Sequence, residues 1–335
     1  MFDWSDCIRL IEKAQRVAVL PHLSADGDGL GSAFALALGI KSLGKEVVVL
    51  LEEEIEDRLA FMLPLEDVEY YILPCKPEGT FDLAIAVDAA DRLRLGDRQN
   101  IYFGAANYVK IDHHVEKDPF GRLNYVNSKW AANCEGIWEL LCNSPWNLQD
   151  KLEGQAADAF YTKIVRCLYG GIATDTGSFA FSNTTEMTHS IAGKLLSVLG
   201  DISEMHFRLF QRQSKACLAL KGISFGKIGY SPDGKIAFLC LDSDDFRNAD
   251  ATYDDANDIV NVLRGIEGVE LAVFARPGRT GNGMKISMRS NKTYDVAAFA
   301  MANGGGGHVR AAGFDYSGDF TELKKKVMDY YNGSN

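Results

Sequence analysis

The stretch Val17–Leu43 reads VAVLPHLSADGDGLGSAFALALGIKSL. An unbroken apolar run, Val17-Ala-Val-Leu20, gives way to a polar segment holding His22, Asp26 and Asp28, and from Gly31 the pattern predicts a helix to Leu43. A strand buried on both faces reads as such a continuous run. The same pattern recurs: Glu46–Leu51 is a second strand, Leu83–Val87 ends at Asp88, and Tyr108–Ile111 ends at Asp112-His113-His114. Strands alternating with helices predict an α/β fold with a mostly parallel, doubly wound sheet. Ligands in such sheets lie beyond the carboxyl ends of the strands. Three acid- or His-bearing clusters fall there.

Working outward, helical patterns cover Asn133–Leu141, Gly154–Tyr169 and Glu186–Leu199, and an amphipathic connecting helix region covers Asp201–Leu220. Ile223–Tyr230 and Lys235–Leu241 flank Ser231-Pro-Asp-Gly234, which predicts a hairpin. A helix near Asp254–Arg264, strands at Val269–Ala275 and Met284–Met288, and a helix from Asp295 follow. We expect a larger unit over 1–190, a connecting region over 191–215, and a smaller α/β unit over 216–335.

The chain has 335 residues, enough for two cores, and a net charge of −11 from 35 basic and 46 acidic residues. So acidic a chain does not read as a binder of long duplex nucleic acid, which needs many Lys and Arg contacts to phosphate. A small anionic substrate remains compatible, because bound cations reverse the local sign. The seven cysteines are scattered and form no Cys-x-x-Cys, which argues for reduced thiols in a cytoplasmic protein. The first sixteen residues lack a signal-peptide pattern, and no apolar run nears the roughly 20 residues of a membrane span. Apolar surface on the second unit could serve a homodimer.

The clusters carry the chemistry. His22-x-x-x-Asp26-x-Asp28 can aim two carboxylates at neighbouring cations; the bland alternative is a polar turn capping the next helix. Asp88, beyond a buried strand, is costly unless paired or metal-bound, whereas Asp91 reads as a helix cap or a partner of Arg92 or Arg94. His113 and His114 end a third strand, with Asp112 placed to orient a ring nitrogen. Gly170–Ser178 would present Asp175 from a new direction, or serve only as a capping turn. Together His22, Asp26, Asp28, Asp88, His113 and Asp175 suffice for two divalent cations about 3.5–4 Å apart, with Asp88 as the bridge. Carboxylates with imidazoles suit manganese, magnesium, cobalt or iron. His114 is placed to meet a phosphate oxygen or to protonate a leaving group.

As a set, these four motifs, spanning residues 17–182, resemble the DHH phosphoesterase superfamily. Lys285–Ser290, Asp295-Val296 and Gly304-Gly-Gly-Gly307-His308-Val-Arg310-Ala-Ala-Gly313 look like the DHH-associated domain of its nanoRNase branch, which RecJ-type nucleases and cyclic-dinucleotide phosphodiesterases share. From 270 to 310, Arg276, Arg279, Lys285, Arg289, Lys292 and Arg310 outnumber Glu270 and Asp295. The resemblance implies one metal on His22, Asp26 and Asp88 and another on Asp28, Asp88, His113 and Asp175, with manganese the usual cation. It implies an active site in the cleft between the units. His114 would act on the scissile phosphate, supported by Asp112. Arg289, Ser290, Gly304, Gly305, Gly306, Gly307 and His308 would bind the rest of the substrate. Ser24-Ala25 departs from the Asn-Pro of many relatives, which puts substrate trimming in doubt rather than activity.

The expected function is metal-dependent hydrolysis of short oligoribonucleotides or dinucleotides, extending to the 3′-phosphate of adenosine 3′,5′-bisphosphate. Pyrophosphate or polyphosphate hydrolysis is the alternative within the superfamily. A catalytically silent nucleotide-binding module would require lost ligands, and every expected ligand is present.

Overall fold

Alternate residues of Arg16–Pro21 (β1) enter two different cores. Val17 and Val19 join one apolar cluster, while Ala18 and Leu20 join another on the opposite side. The period of two along a strand makes this division, so both faces of the sheet are covered. The computed structural model describes residues 2–75, 78–116, 118–153, 158–278, 283–292 and 294–332, with the side chains of Glu153, His308 and Asn332 outside that description.

The chain divides into two compact units, Met1–Arg212 and Gln213–Asn335. In the first, β1 pairs with Glu46–Leu51 (β2) and Leu83–Val87 (β4); β2 pairs with Glu69–Ile72 (β3); Asn107–Asp112 (β5) lies between β4 and Leu123–Val126 (β6). All five pairings are parallel, in the order β3-β2-β1-β4-β5-β6. The chain direction across the sheet reverses between β1 and β4, which is where a doubly wound sheet opens a crevice.

One face carries Ser5–Lys13 (α1), Gly27–Lys41 (α2), Asn133–Leu141 (α3), Ala159–Asp175 (α4) and Glu186–Leu199 (α5). Helix α2 is buried along almost its whole length, so it packs on helices as well as on the sheet. Its approach to α4 requires a glycine: a Cβ at Gly31 would stand 2.6 Å from the Cys167 carbonyl oxygen. The start expected at Gly154 falls among residues outside the description, and α4 runs to Asp175, beyond the expected Tyr169.

The second unit has a mixed sheet in the order β11-β12-β10-β9-β8-β7. Its strands are Gly229–Tyr230 (β7), Ile236–Cys240 (β8), Leu271–Pro277 (β9), Met284–Ser290 (β10), Gly306–His308 (β11) and Ala311–Tyr316 (β12). Only β8 and β9 run parallel. Lys215–Phe225 (α6) packs on one face, and Val296–Ala302 (α7) with Phe320–Asn332 (α8) on the other.

The expected strand Ile223–Tyr230 is a correction. Ile223–Phe225 end α6, which Ser214 caps through Cys217 N–H, and only Gly229 and Tyr230 pair with β8. The Ser231–Gly234 turn is present, with Gly234 N–H bonded to the Ser231 carbonyl. The connecting helix region expected over Asp201–Leu220 consists of separate pieces: Ser203–His206 passes into a wider turn at Phe207–Gln211, Arg212 is extended, and α6 starts afresh. Among the described residues no helix is long and apolar enough to cross a membrane.

Candidate active site

The parallel pairing places the ends of β1, β4 and β5 side by side, since Pro21 pairs with Val87 and Val87 with Ile111. His22, Asp88 and His113 therefore follow three adjacent strands directly. Asp88 adopts φ +55°, a left-handed conformation disfavoured for a residue with a side chain. Such strain collects at functional sites. A Cβ at Gly29 would stand 3.3 Å from Asp88 Oδ2, so the start of α2 closes over that carboxylate only because it carries none.

The possible ligands fall into three overlapping groups, His22 with Asp26 and Asp88, Asp88 with His113 and His114, and Asp28 with His113 and Asp175, so that Asp88 belongs to two of them. Its Oδ2 lies 3.5 Å from His22 Nε2, which is 3.8 Å from Asp26 Oδ1. Its Oδ1 lies 3.3 Å from His113 Nε2 and 3.6 Å from His114 Nδ1. His113 in turn has Nε2 4.0 Å from Asp28 Oδ2 and Nδ1 3.9 Å from Asp175 Oδ2. His22, Asp26 and Asp88 offer donor atoms within 4.8 Å of one another, as do Asp28, His113 and Asp175.

Each side chain is held from outside the cluster. Asp26 caps α2, its Oδ1 accepting from the Asp28 and Gly29 N–H groups, so the capping alternative holds alongside its place in the cluster. Asp28 accepts from the first amides of α3, Asn133 N–H at 2.5 Å and Cys134 N–H at 2.9 Å. A helix N-terminus is a favourable place for a carboxylate. Asp175 sits at the opposite kind of end, the last residue of α4, where the helix dipole disfavours an anion and a nearby cation offsets it. His114 donates Nδ1–H to Asp112 Oδ1 at 2.7 Å, since an ionised carboxylate only accepts.

Charge at the site is balanced by protons. Burial, then the Asp88 charge, push the Asp28 carboxyl up to about 7. Burial and the Asp28 charge push Asp175 up to about 8. Burial opposes the charged form of His22, but Asp26 and Asp88 outweigh it and raise the imidazole to about 10. His113 rises well above its ordinary value for the same reason, with Asp88 first among its partners. Asp88 goes the other way: burial disfavours its charge, yet His113 and His22 hold it well below the carboxylate range. A buried set of acids and imidazoles that keeps neutral by binding protons is the donor set divalent cations displace protons from. Asp88 Oδ1 is buried with no hydrogen bond among the described residues, a further sign that the residues fit a cation pair.

Three features carried no sequence signal. Arg94 Nη2 lies 2.8 Å from His22 Nδ1, which also contacts the Leu23 carbonyl at 2.5 Å. One nitrogen cannot serve both; with Nδ1–H donated to Leu23, Nε2–H faces Asp26 and Asp88, and Nε2 is the atom that would be left for a cation once that proton is displaced. The α3 amides that hold Asp28 are backbone groups, which a sequence does not display. Lys110 is fully buried beside Asp112. Asp91, as one of its two expected readings had it, is a cap, accepting from Leu93 and Arg94 N–H.

In the second unit the glycine run differs from an anion nest. Gly304 and Gly305 donate their amides to the Met301 and Ala300 carbonyls, closing the end of α7, so those two N–H groups are not free for phosphate. Gly305 and Gly307 allow β11 to lie against β12: a Cβ would stand 2.2 Å from the Gly313 carbonyl and 2.4 Å from that of Ala311. At Gly304 and Gly306 a Cβ would meet nothing. Ser290 is buried and donates its hydroxyl to the Tyr294 carbonyl. Arg289 donates to the Met288 carbonyl, and burial together with the Arg264 charge lowers its guanidinium. The His308 side chain and Arg279 lie outside the described residues. Arg276 lies over the Tyr253 ring at 3.8 Å and bonds its carbonyl, a packing role rather than a surface one.

A sheet that opens at β1 and β4, with acids and imidazoles beyond three strand ends, defines a phosphoesterase fold, and the family profiles agree. The DHH family, N-terminal domain, matches residues 16–172, and the DHHA1 domain matches residues 233–333. The chain belongs to the DHH superfamily and is a hydrolase. Among curated proteins it is similar to the bifunctional oligoribonuclease and PAP phosphatase NrnA of Bacillus subtilis strain 168, 29% identical over 309 residues that cover 92% of each chain. The protein of that name from Thermus thermophilus is 28% identical over 93% of this chain and 88% of its own. The fold is shared with an exopolyphosphatase-related protein from Bacteroides fragilis, with a TM-score of 0.85 and 23% identity over 97% of this chain and 94% of that one.

Proposed function

We propose that this protein hydrolyses phosphate esters of short oligoribonucleotides and dinucleotides, and removes the 3′-phosphate of adenosine 3′,5′-bisphosphate. The observation that carries the reading is Asp88. One buried carboxylate faces His22 through Oδ2 and His113 through Oδ1, which would let Asp88 help to hold both cations. The substrate class follows from the relatives named for oligoribonuclease and PAP phosphatase activity.

His22, Asp26 and Asp88 would hold one divalent cation, and Asp28, Asp88, His113 and Asp175 the other, with manganese our choice. Bound there, the pair lowers the pKa of the attacking water and offsets charge on the phosphoryl oxygens. Asp112 fixes the His114 ring by taking its Nδ1–H, which leaves Nε2 to hand a proton to the departing ribose oxygen. Water adds to phosphorus, and the bond to that oxygen breaks with its electron pair. Arg94, exposed beside His22, is a candidate to meet a non-bridging phosphate oxygen. Arg289, Ser290, Gly304–Gly307 and His308 are assigned to the remainder of the substrate, Ser290 through the loop it holds, and Gly304 and Gly305 through their missing side chains rather than their amides. Seven cysteines, none of them paired, fit a reducing cytoplasmic setting.

The test is a panel of diadenylate, a five-nucleotide RNA, adenosine 3′,5′-bisphosphate and pyrophosphate, each incubated with manganese and resolved by chromatography. Mononucleotide from the first two and adenosine 5′-monophosphate from the third are expected. Rapid phosphate release from pyrophosphate alone would replace this reading with a pyrophosphatase.

A further inference from the structure

Lys110 lies two positions inside the end of an interior strand, fully buried, where an aliphatic residue would ordinarily sit. Two residues apart on one strand, Lys110 and Asp112 point to the same face of the sheet. The ammonium meets three acceptors: the Ala90 carbonyl at 3.0 Å, the Asp118 carbonyl at 3.2 Å and Asp112 Oδ2 at 3.4 Å. The Phe120 ring covers it at 4.9 Å. Ala90 belongs to the loop that follows Asp88, and Asp118 to the loop that follows His114.

The two oxygens of Asp112 have different partners. Oδ1 accepts from His114 Nδ1–H at 2.7 Å and from the His113 and His114 amides at 2.9 and 3.3 Å. Oδ2 is buried and has no hydrogen bond among the described residues; its neighbouring charge is Lys110. A carboxylate with no solvent exposure keeps its charge only where a cation or donors compensate it.

We propose that Lys110 is a positioning residue for the hydrolytic step, acting through Asp112 to fix the ring of His114 that faces the leaving oxygen. It also ties the loops after Asp88 and after His114 to the same strand, so the groups on either side of the scissile bond share one anchor. This rests on the proposed reading, in which His114 Nε2 protonates the ribose oxygen as the P–O bond breaks with its electron pair and water supplies the new P–O bond. Without the ammonium, Asp112 Oδ2 loses the charge it faces, and the carboxylate is held through Oδ1 alone. The His114 ring is then free to turn, which affects the transition state and not the binding of substrate.

The experiment compares wild type, Lys110→Met, Asp112→Asn and the double variant on diadenylate with manganese. Manganese binding is measured separately by calorimetry. Lys110→Met is expected to lower kcat about 10²-fold while KM moves less than about threefold. The double variant should turn over within about threefold of Asp112→Asn alone, because the two residues act in series. Manganese affinity should stay within about threefold, since among the described residues neither Lys110 nor Asp112 hydrogen-bonds the side chain of a proposed ligand. Multiplying effects in the double variant, a change confined to KM, or an unaltered kcat would overturn the proposal. Should Lys110→Met fail to fold, Lys110→Gln, which keeps a donor but no charge, takes its place with the same expectations. Failure of the wild-type protein to cleave diadenylate would refute the proposed function instead, which separates the two outcomes.

Discussion

Replacing Gly31 by alanine should weaken metal binding more than it weakens the fold. The added Cβ would stand 2.6 Å from the Cys167 carbonyl oxygen and 3.2 Å from Cys134 Sγ. The carbonyl is backbone inside α4 and cannot rotate away, so α2 and α4 must separate by about 0.5 Å to restore ordinary contact. Alanine gains about 1 kcal/mol over glycine in a helix interior. Overpacking a dense core costs about 1–3 kcal/mol, so the net loss of stability is about 0–2 kcal/mol. The site is less forgiving. Asp28 lies less than one turn before Gly31 on α2, and Asp175 ends α4. Metal–ligand distances hold within about 0.2 Å, and a half-ångström shift between helices that, in the proposed reading, carry ligands of the same cation exceeds that. Manganese affinity should fall about 10–100-fold, the range seen when the support of a ligand is lost. Calorimetric titration with manganese, alongside thermal melting with and without the cation, reads both effects. A variant that melts no lower than wild type and binds manganese as tightly would refute the reasoning.

The remaining predictions concern charge. Asp175 at about 8, Asp28 at about 7 and the raised imidazoles of His22 and His113 mean that the metal-free site carries protons at pH 7.5. Cation binding should therefore release about three protons per chain, and affinity should rise with pH from 6 to 8; titrations in buffers of different ionisation heat count them. His206 bridges the Tyr169 hydroxyl and the Ser178 hydroxyl, and burial lowers its imidazole below 6.5. A histidine depressed in the folded state contributes stability that is full above its unfolded value and is lost as pH falls through the folded one. Melting temperature should drop less between pH 7.5 and pH 5 in His206→Gln than in wild type. Arg92 and Asp118 form an ion pair at 2.7 Å with Arg92 half-exposed, so Arg92→Ala should cost at most about 1 kcal/mol by urea unfolding.

What the sequence displayed and what it hid follow from burial. β1 and β4 are continuous apolar runs, and Tyr108–Ile111 of β5 is one apart from Lys110, because both faces of these strands are covered, so they and the residues after them were visible. β3 and β6 are edge strands with one neighbour each; Glu69-Tyr-Tyr-Ile72 and Leu123-Asn-Tyr-Val126 carry polar residues and gave no such run. Ile223–Phe225 is a short apolar stretch that period alone cannot assign, and the Ser214 cap decided for helix. The cluster of His22, Asp26, Asp28, Asp88, His113 and Asp175 was legible because each member follows a recognisable element. Lys110 was not, since a lysine in a strand reads as surface until its three buried acceptors are seen. The glycine run carried two meanings in sequence, amide donor and absent side chain; Gly304 and Gly305 donate within the fold, and only the second survives for them.

The bridging role of Asp88 is tested most directly by diadenylate cleavage with manganese, comparing wild type with Asp88→Asn, each first shown by calorimetry and melting to be folded. Adenosine 5′-monophosphate is expected from the wild type, and a rate lower by at least about 10³-fold from the variant, in which the one carboxylate assigned to both cations is gone. Equal cleavage by the two proteins, or none by a folded wild type that binds manganese, would contradict a two-cation phosphoesterase built on Asp88.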